Sequence, residues 1–245
     1  MRIGIFDSGI GGLTVLKTLY NNYPNNDYIY YGDTINLPYG SKTKEELNNL
    51  SEHDVEFLIK EKVDMIIIAC GTVSSNCLTH LKNKYSLPIY DIISPTIKYL
   101  NSSTYSNIGI IATSATINSN IFKNNLNKNV YQIETPSFVP LIEQNKKDEI
   151  NIAIDNYLKE YTNKIDILVL GCTHYPIIKD ELNKYFDNKI ELLDMSNLLL
   201  DKLKNDRNSS IKIYYIKLNK TIIENTKSIL EKETIDIYEK NNCQN

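Results

Sequence analysis

Short apolar segments alternate with longer polar or amphipathic stretches along most of the chain. Five of them have the composition of buried strands: "IGIF" (residues 3–6), "YIYYG" (28–32), "MIIIAC" (65–70), "IGIIA" (108–112) and "ILVLGC" (167–172). Strands that are apolar on both faces belong in parallel sheets whose faces are covered by crossover helices. The pattern therefore predicts an α/β fold with three-layer α/β/α units and mostly parallel sheets.

Helix-start signals support this rhythm. Thr43 stands three residues before Glu46, as in a capping box, and Asp180 and Glu181 follow Pro176 early in another amphipathic stretch. Acidic residues in a first turn are favourable because they face the positive end of the helix dipole. We predict a helix at both places.

Two pairs of segments resemble each other and indicate an internal repeat. "RIGIFDSG" near the start is similar to "NIGIIATSAT", which begins at Asn107, and "IIIACGT" is similar to "LVLGCTH". We expect two pseudo-symmetric domains, one of residues 1–95 with 200–245 and one of residues 96–199. The chain would cross between them within residues 94–106 and again near 195–200. The strand-like "IKIYYIKL" and the helix-like "TIIENTKSILEK" would then return to the first domain.

Length and charge exclude several classes of protein. The chain has 245 residues, with 27 Lys and Arg against 30 Asp and Glu. This balance lacks the broad positive field that binding to a phosphate backbone requires. No apolar run approaches the length of a membrane span, and Asp7 interrupts the apolar start before it could serve as a signal peptide. We therefore expect a cytoplasmic protein with no nucleic acid and no membrane as partner.

The four cysteines are unevenly spaced, which does not suit a disulfide framework in a reducing compartment. Cys77 and His80 are three residues apart and could share a helix face. No CxxC pair accompanies them, so we expect no metal site, with Cys77 packed against a sheet and His80 on a solvated face. Cys243 is interpreted as a tail thiol.

Cys70 and Cys172 have flanks that distinguish them from packing cysteines. Each ends an apolar run and is followed by a polar turn, residues 71–75 in one case and a segment containing His174 in the other. A helix amino terminus and a protonated histidine both stabilise a thiolate. Because the carboxyl ends of parallel strands are where ligands bind, the pattern indicates two reactive thiols, with inert packing as the alternative.

Three further segments hold candidate polar groups. "DSGIGGLT", which begins at Asp7, matches neither a phosphate-binding P-loop nor a dinucleotide fingerprint. It leaves a glycine-rich turn whose N–H groups could hold a small anion such as a carboxylate, and Asp7 is either a reacting group or a helix cap. Tyr39, in the "PYG" turn, either packs or closes over a ligand. Glu143, which ends "PSFVPLIE", is either functional or an ordinary solvated carboxylate.

In this order, "IGIFDSGIGGLTVL", "YYGDTINLPYG", "IIIACGTVSSN", "PSFVPLIE" and "LVLGCTHYPII" resemble the glutamate racemase family of the aspartate/glutamate racemase superfamily. The resemblance covers nearly the whole chain. It implies a racemase without cofactor or metal that interconverts L- and D-glutamate and supplies D-glutamate for peptidoglycan. It also implies two α/β domains with this small-molecule substrate in the cleft between them, and a homodimer, which family members often form.

The resemblance also implies roles for individual residues. Cys70 and Cys172 correspond to two opposed acid/base thiols, of which the first deprotonates the D isomer and the second the L isomer. Asp7 and His174 resemble the polar partners of these thiols, and Glu143 would support the second. The positions that match substrate contacts are Asp7, Ser8, Tyr39, Gly40, Gly71, Thr72, Thr173 and His174.

Gly71 departs from the family pattern, which usually reads Cys-Asn-Thr at the first cysteine. The glycine deletes a side-chain amide, and the removal of one polar interaction from a closed site costs about 1–3 kcal/mol. Two alternatives therefore stay open: an aspartate racemase or other small-diacid isomerase of the superfamily, and a non-catalytic ligand-binding relative. If Gly71 weakens substrate binding, Gly71→Asn is expected to lower the KM for glutamate.

Overall fold

The computed structural model describes residues 1–202 and 209–240, so Cys243 lies outside the described residues. The strands are β1 Arg2–Asp7, β2 Asp27–Gly32, β3 Met65–Ile68, β4 Ile89–Asp91, β5 Asn107–Ala112, β6 Asn129–Glu134, β7 Ile167–Leu170, β8 Glu191–Asp194, β9 Ser210–Tyr215 and β10 Asp236–Glu239. The α-helices are α1 Leu13–Asn22, α2 Lys44–Lys60, α3 Gly71–Asn76, α4 Leu78–Lys84, α5 Ile93–Ser102, α6 Ser114–Asn118, α7 Ile121–Asn125, α8 Phe138–Glu143, α9 Lys147–Leu158, α10 Lys179–Tyr185 and α11 Lys220–Leu230. Short 3₁₀ helices span Tyr39–Ser41, Tyr175–Ile178 and Met195–Lys202.

The strands form two parallel sheets. The first has the order β10-β9-β2-β1-β3-β4 and the second β6-β5-β7-β8. The order β2-β1-β3-β4 is thus repeated as β6-β5-β7-β8, and the register repeats too, because Ile3 pairs with Met65 as Ile108 pairs with Ile167. The predicted α/β fold with two pseudo-symmetric units is confirmed, and β9 and β10 are an addition to the first sheet alone.

Each sheet is covered on both faces, as strands that are apolar on both sides require. The inner faces, represented by Ile5 and Ile110, pack into one common core with α1, α5 and α11. The outer face of the first sheet, including Ile68, packs against α2, α3 and α4. The outer face of the second, including Leu170, packs against α8, α9 and α10. Each of these fully buried aliphatic side chains contributes about 1.5–3 kcal/mol of transfer free energy.

The chain crosses between the sheets twice. Helix α5 follows β4 of the first sheet and precedes β5 of the second, and Pro95 lies in its first turn, where its missing N–H costs no hydrogen bond. The 3₁₀ helix Met195–Lys202 follows β8, and the chain then returns to the first sheet, where β9 pairs with β2. The exact limits of the two domains remain a prediction.

The predicted helix starts are also present. The N–H of Glu46 donates to Thr43 Oγ1 at 3.3 Å and the N–H of Thr43 donates to Glu46 Oε2 at 2.8 Å, which completes the capping box of α2. Asp180 and Glu181 occupy the first turn of α10, although a 3₁₀ turn precedes this helix. None of the helices within residues 1–202 and 209–240 has the length and apolarity that a bilayer crossing requires.

Candidate active site

A cavity of about 70 Å³ lies where the carboxyl ends of the two sheets face each other. Strands β3 and β7 end two residues before Cys70 and Cys172, and both thiols line this cavity. Seven other residues singled out from the sequence line it as well: Ser8, Tyr39, Gly40, Gly71, Thr72, Thr173 and His174. Asp7 and Glu143 stand behind the wall, where they contact lining residues.

Cys70 is held as a neutral thiol. Its side chain is buried, and burial raises its pKa well above the ordinary value, with a further increase from the negative charge of Asp7. The backbone N–H of Val73 and the hydroxyl of Ser8 act in the opposite direction. Cys70 Sγ donates to Ser8 Oγ at 3.8 Å. The first thiol is therefore placed to give a proton to a bound molecule.

Cys172 has a different environment, because His174 and Glu143 form a line of polar groups behind it. His174 Nδ1 is 3.8 Å from Cys172 Sγ, and His174 Nε2 is 2.6 Å from Glu143 Oε1. Burial lowers the pKa of His174, but its hydrogen bonds to Cys172 and Glu143 outweigh burial and raise the pKa well above its usual value. The imidazole therefore bridges the sulfur of Cys172 and the carboxylate of Glu143.

The carboxylate of Asp7 is used as a cap for the turn that follows it, and its role as a reacting group stays a prediction. Its Oδ2 accepts hydrogen bonds from the backbone N–H groups of Gly9 at 3.2 Å and Gly12 at 3.0 Å, and its Oδ1 accepts one from Thr173 Oγ1 at 3.2 Å. The expectation that the glycine-rich turn holds a carboxylate of a ligand is therefore wrong for these two N–H groups, because the carboxylate of Asp7 occupies them. Asp7 thereby ties the first strand to the second cysteine loop.

Gly71 lies where the two cysteine loops touch. A Cβ atom at this position would stand 2.6 Å from the carbonyl oxygen of Gly171, closer than real Cβ atoms come to another atom. The glycine thus permits a backbone approach between the loops in addition to removing a side-chain amide. The expectation that Gly71→Asn lowers KM conflicts with this close approach, because any side chain here must first push the loops apart.

Tyr39 closes one wall of the cavity but turns its hydroxyl away from it. The ring is buried, and Oη donates to Asp33 Oδ2 at 2.7 Å. The adjacent Gly40 packs closely against Thr113, since a Cβ on Gly40 would meet Thr113 Cβ at 2.7 Å. The "PYG" turn of the first unit therefore rests on the second.

Some lining residues were not found from the sequence. Thr113 and Ser114 line the cavity, and Thr113 Oγ1 lies 2.9 Å from Thr72 Oγ1. The signal was present in the repeat, since the alignment of "RIGIFDSG" with "NIGIIATS" matches Thr113 to Ser8. The apolar wall formed by Pro136, Val139 and Pro140 carries no chemical signature that would distinguish it from ordinary packing.

The residues considered for metal binding are used otherwise. Cys77 is fully buried in the outer core of the first sheet, and His80 Nε2 is 2.6 Å from Glu52 Oε1 on α2. In the described part of the chain, no group of three or more His, Cys, Asp or Glu residues is arranged to hold a metal ion.

Racemases are among the known proteins that this chain resembles in sequence and in fold. The model of the Asp/Glu/hydantoin racemase family matches residues 23–202. A glutamate racemase from Fusobacterium nucleatum is 41% identical over 84% of this chain and 86% of its own, and one from Aquifex aeolicus is 37% identical over 95% of both. The crystal structure of glutamate racemase from Francisella tularensis with D-glutamate has a TM-score of 0.88 and 32% identity, and the match covers 98% of this chain and 97% of that one. The chain therefore belongs to the glutamate racemase family.

Proposed function

We propose that this protein interconverts L- and D-glutamate without a cofactor, with Cys70 and Cys172 as opposed acid and base. The observation that carries the proposal is the placement of two buried thiols, one from each sheet, on the wall of one small cavity. A two-base inversion at a carbon atom needs a base on one face and an acid on the other, and the two facing sheets supply one thiol each.

The α C–H of an amino acid is a very weak acid, so the reaction depends on enclosure and positioning. In the direction from L to D, the thiolate of Cys172 takes the α proton and the carbon becomes a planar carbanion. The thiol of Cys70 then gives its proton to the opposite face, which leaves Cys70 as the thiolate and Cys172 as the thiol. The reverse reaction exchanges the two roles.

The environments of the two thiols fit this division. His174, held by Glu143, lies beside the sulfur of Cys172, while burial and Asp7 favour the neutral thiol of Cys70. Ser8, Thr72, Thr173 and the turn at Tyr39–Ser41 would hold the carboxylates and the ammonium group of the substrate.

The relatives support glutamate as the substrate, because the proteins that are 37–41% identical to this chain are glutamate racemases. Neither the aspartate racemase nor the ligand-binding alternative is favoured. We expect the enzyme to act in the cytoplasm and its product, D-glutamate, to be used for peptidoglycan synthesis. A homodimer in solution is part of the proposal and is tested by light scattering after size-exclusion chromatography.

Polarimetry of the purified protein tests the reaction. The optical rotation of L-glutamate should decay to zero, and L-aspartate should react roughly 10–200-fold more slowly because it is one methylene shorter. A constant optical rotation with both amino acids would overturn the proposal. Faster decay with L-aspartate than with L-glutamate would identify aspartate as the preferred substrate.

A further inference from the structure

Two buried carboxyl groups meet at the hydroxyl of Tyr39, behind the cavity wall. Tyr39 Oη donates to Asp33 Oδ2 at 2.7 Å and lies 3.3 Å from Oδ2 of Asp54, a residue of α2 that is 1% exposed. Asp54 does not line the cavity, and it lies on a long helix rather than on either thiol loop. Its burial beside a second acid needs a physical reason.

The hydrogen bonds around Asp33 set the direction of the Tyr39 hydroxyl. Asp33 Oδ1 accepts from the N–H of Asn36 at 3.3 Å, Oδ2 accepts from Asn36 Nδ2 at 2.8 Å, and Oδ2 also accepts from Tyr39. Asp33 is thus the acceptor in these three hydrogen bonds. Asp54 has a different role, because the Tyr39 hydroxyl has one proton and directs it to Asp33.

The contact between Asp54 Oδ2 and Tyr39 Oη is a hydrogen bond when Asp54 is a neutral acid that donates its proton to Tyr39 Oη. Burial raises the pKa of Asp54 well above its ordinary value, and the negative charge of Asp33 raises it further. The pKa of Tyr39 is also raised, chiefly by burial and also by the negative charge of Asp33, so the phenol keeps its proton. The charged or titratable groups that act on Asp54 or share its surroundings are Asp33, Tyr39, Tyr31, Asp7 and Lys240.

This chain of donors ends at the element that closes the cavity. Tyr39 begins the 3₁₀ turn Tyr39–Ser41, its ring lines the cavity, and Gly40 rests against Thr113 of the opposite unit. If the phenol is fixed, the turn is fixed at its first residue. If Asp54 loses its proton, two anions face the same phenol and the hydrogen bond from Asp54 disappears.

We propose that Asp54 is a positioning residue of this racemase, which donates as a neutral acid to Tyr39 and thereby holds the Tyr39–Ser41 turn closed over bound glutamate. The inference rests on the proposed function of the cavity. It assigns no chemical step to Asp54, which acts on the substrate only through Tyr39. The expected signature is a change in KM rather than in kcat.

Two substitutions of similar size separate this role from simple packing. Asp54→Leu fills the space without a donor and should raise the KM for glutamate about tenfold, as expected when a buried hydrogen bond is removed, with kcat within about twofold of wild type. Asp54→Asn keeps a donor and should rescue KM to within about threefold. Glu56→Leu, on the exposed face of the same helix, is the matched control and should leave both constants unchanged.

The pH dependence of KM gives a second readout that packing alone would not produce. The wild-type KM should rise at alkaline pH as Asp54 ionises, whereas the KM of Asp54→Asn should follow only the titration of the thiols and His174. This comparison stays decisive even if Asp54→Leu fails to fold. Identical pH profiles of wild type and Asp54→Asn would overturn the inference, as would a kcat loss in Asp54→Leu at unchanged KM.

Binding without turnover distinguishes failure of this inference from failure of the proposed function. Calorimetry of D-glutamate with Cys70→Ser, alone and combined with Asp54→Leu, should show about tenfold weaker binding in the double variant. If wild type neither racemises nor binds glutamate, the proposed function fails. If wild type is active and the two dissociation constants are equal, only the role of Asp54 fails.

Discussion

The backbone approach between Gly71 and Gly171 makes the spacing of the two thiols sensitive to a single methyl group. In Gly71→Ala, the new Cβ would stand 2.6 Å from the Gly171 carbonyl oxygen, whereas 3.0 Å is the shortest distance that real Cβ atoms keep and 3.4 Å is the start of ordinary van der Waals distance. The loops must therefore separate by at least 0.4 Å, and by 0.8 Å for an unstrained arrangement.

This displacement reaches the reacting groups directly, because Cys70 precedes Gly71 and Cys172 follows Gly171 in the chain. A misplacement of 1 Å in a positioned site costs about 10²-fold in rate, so a separation of this size should lower kcat/KM roughly 5- to 40-fold. The same Cβ is present in Gly71→Asn, for which we expect a decrease of similar size or larger.

Initial rates with L-glutamate and with D-glutamate provide the assay. The enantiomers have equal free energy in water, so kcat/KM must be equal in the two directions and must fall by the same factor. Gly4→Ala is the control, because its Cβ would meet flexible side-chain carbons of Leu58 at 3.0 Å, far from the cavity, and kcat/KM should not change. A Gly71→Ala enzyme with wild-type kcat/KM would refute the reasoning.

Four other substitutions have defined outcomes. Cys70→Ser and Cys172→Ser should each lower kcat by about 10²–10⁴-fold or more with an unchanged far-ultraviolet circular dichroism spectrum, because a serine hydroxyl is a far weaker acid than a thiol; full activity in either would contradict the two-thiol mechanism. Glu143→Gln removes a group that raises the pKa of His174, so the alkaline limb of the pH profile of kcat/KM should move to lower pH. If this limb does not move, Glu143 has no role in the reaction through His174. Asp54→Asn should raise the melting temperature by an amount that grows as pH rises above about 3.9, the pKa of an unfolded aspartate, because the stability of wild type falls until pH passes the raised pKa of folded Asp54. A pH-independent difference in melting temperature would show that Asp54 does not titrate in this way.

The fold and the two reactive thiols could be predicted from local sequence patterns. Strands such as β3 and β7 are visible because a strand buried on both faces must be apolar at successive positions. Cys70 and Cys172 can be recognised from the sequence because each stands where an apolar run ends and a polar turn begins. The internal repeat also aligns the two positions. The capping box at Thr43 depends on residues three apart and is equally local.

Interactions between distant segments were beyond the reach of the sequence. Position 71 is restricted to glycine by the carbonyl oxygen of Gly171, which lies 100 positions later in the chain. From the sequence, the only recognisable effect of Gly71 is the loss of a side-chain amide. Asp54 resembles any other acid on an amphipathic helix, and only the folded chain brings it to Tyr39. The N–H groups of the glycine-rich turn seemed free for a ligand because the sequence does not show that Asp7 folds back onto them.

Proton NMR in deuterated water tests the two-thiol mechanism most directly. L-glutamate is supplied to the enzyme, and the α protons of remaining L-glutamate and of newly formed D-glutamate are measured during the first turnovers. Opposed thiols predict that D-glutamate carries deuterium at the α carbon from the start, while the remaining L-glutamate keeps its proton. Protonated D-glutamate in the first turnovers would mean that one group carries the same proton from one face to the other, and it would contradict the mechanism.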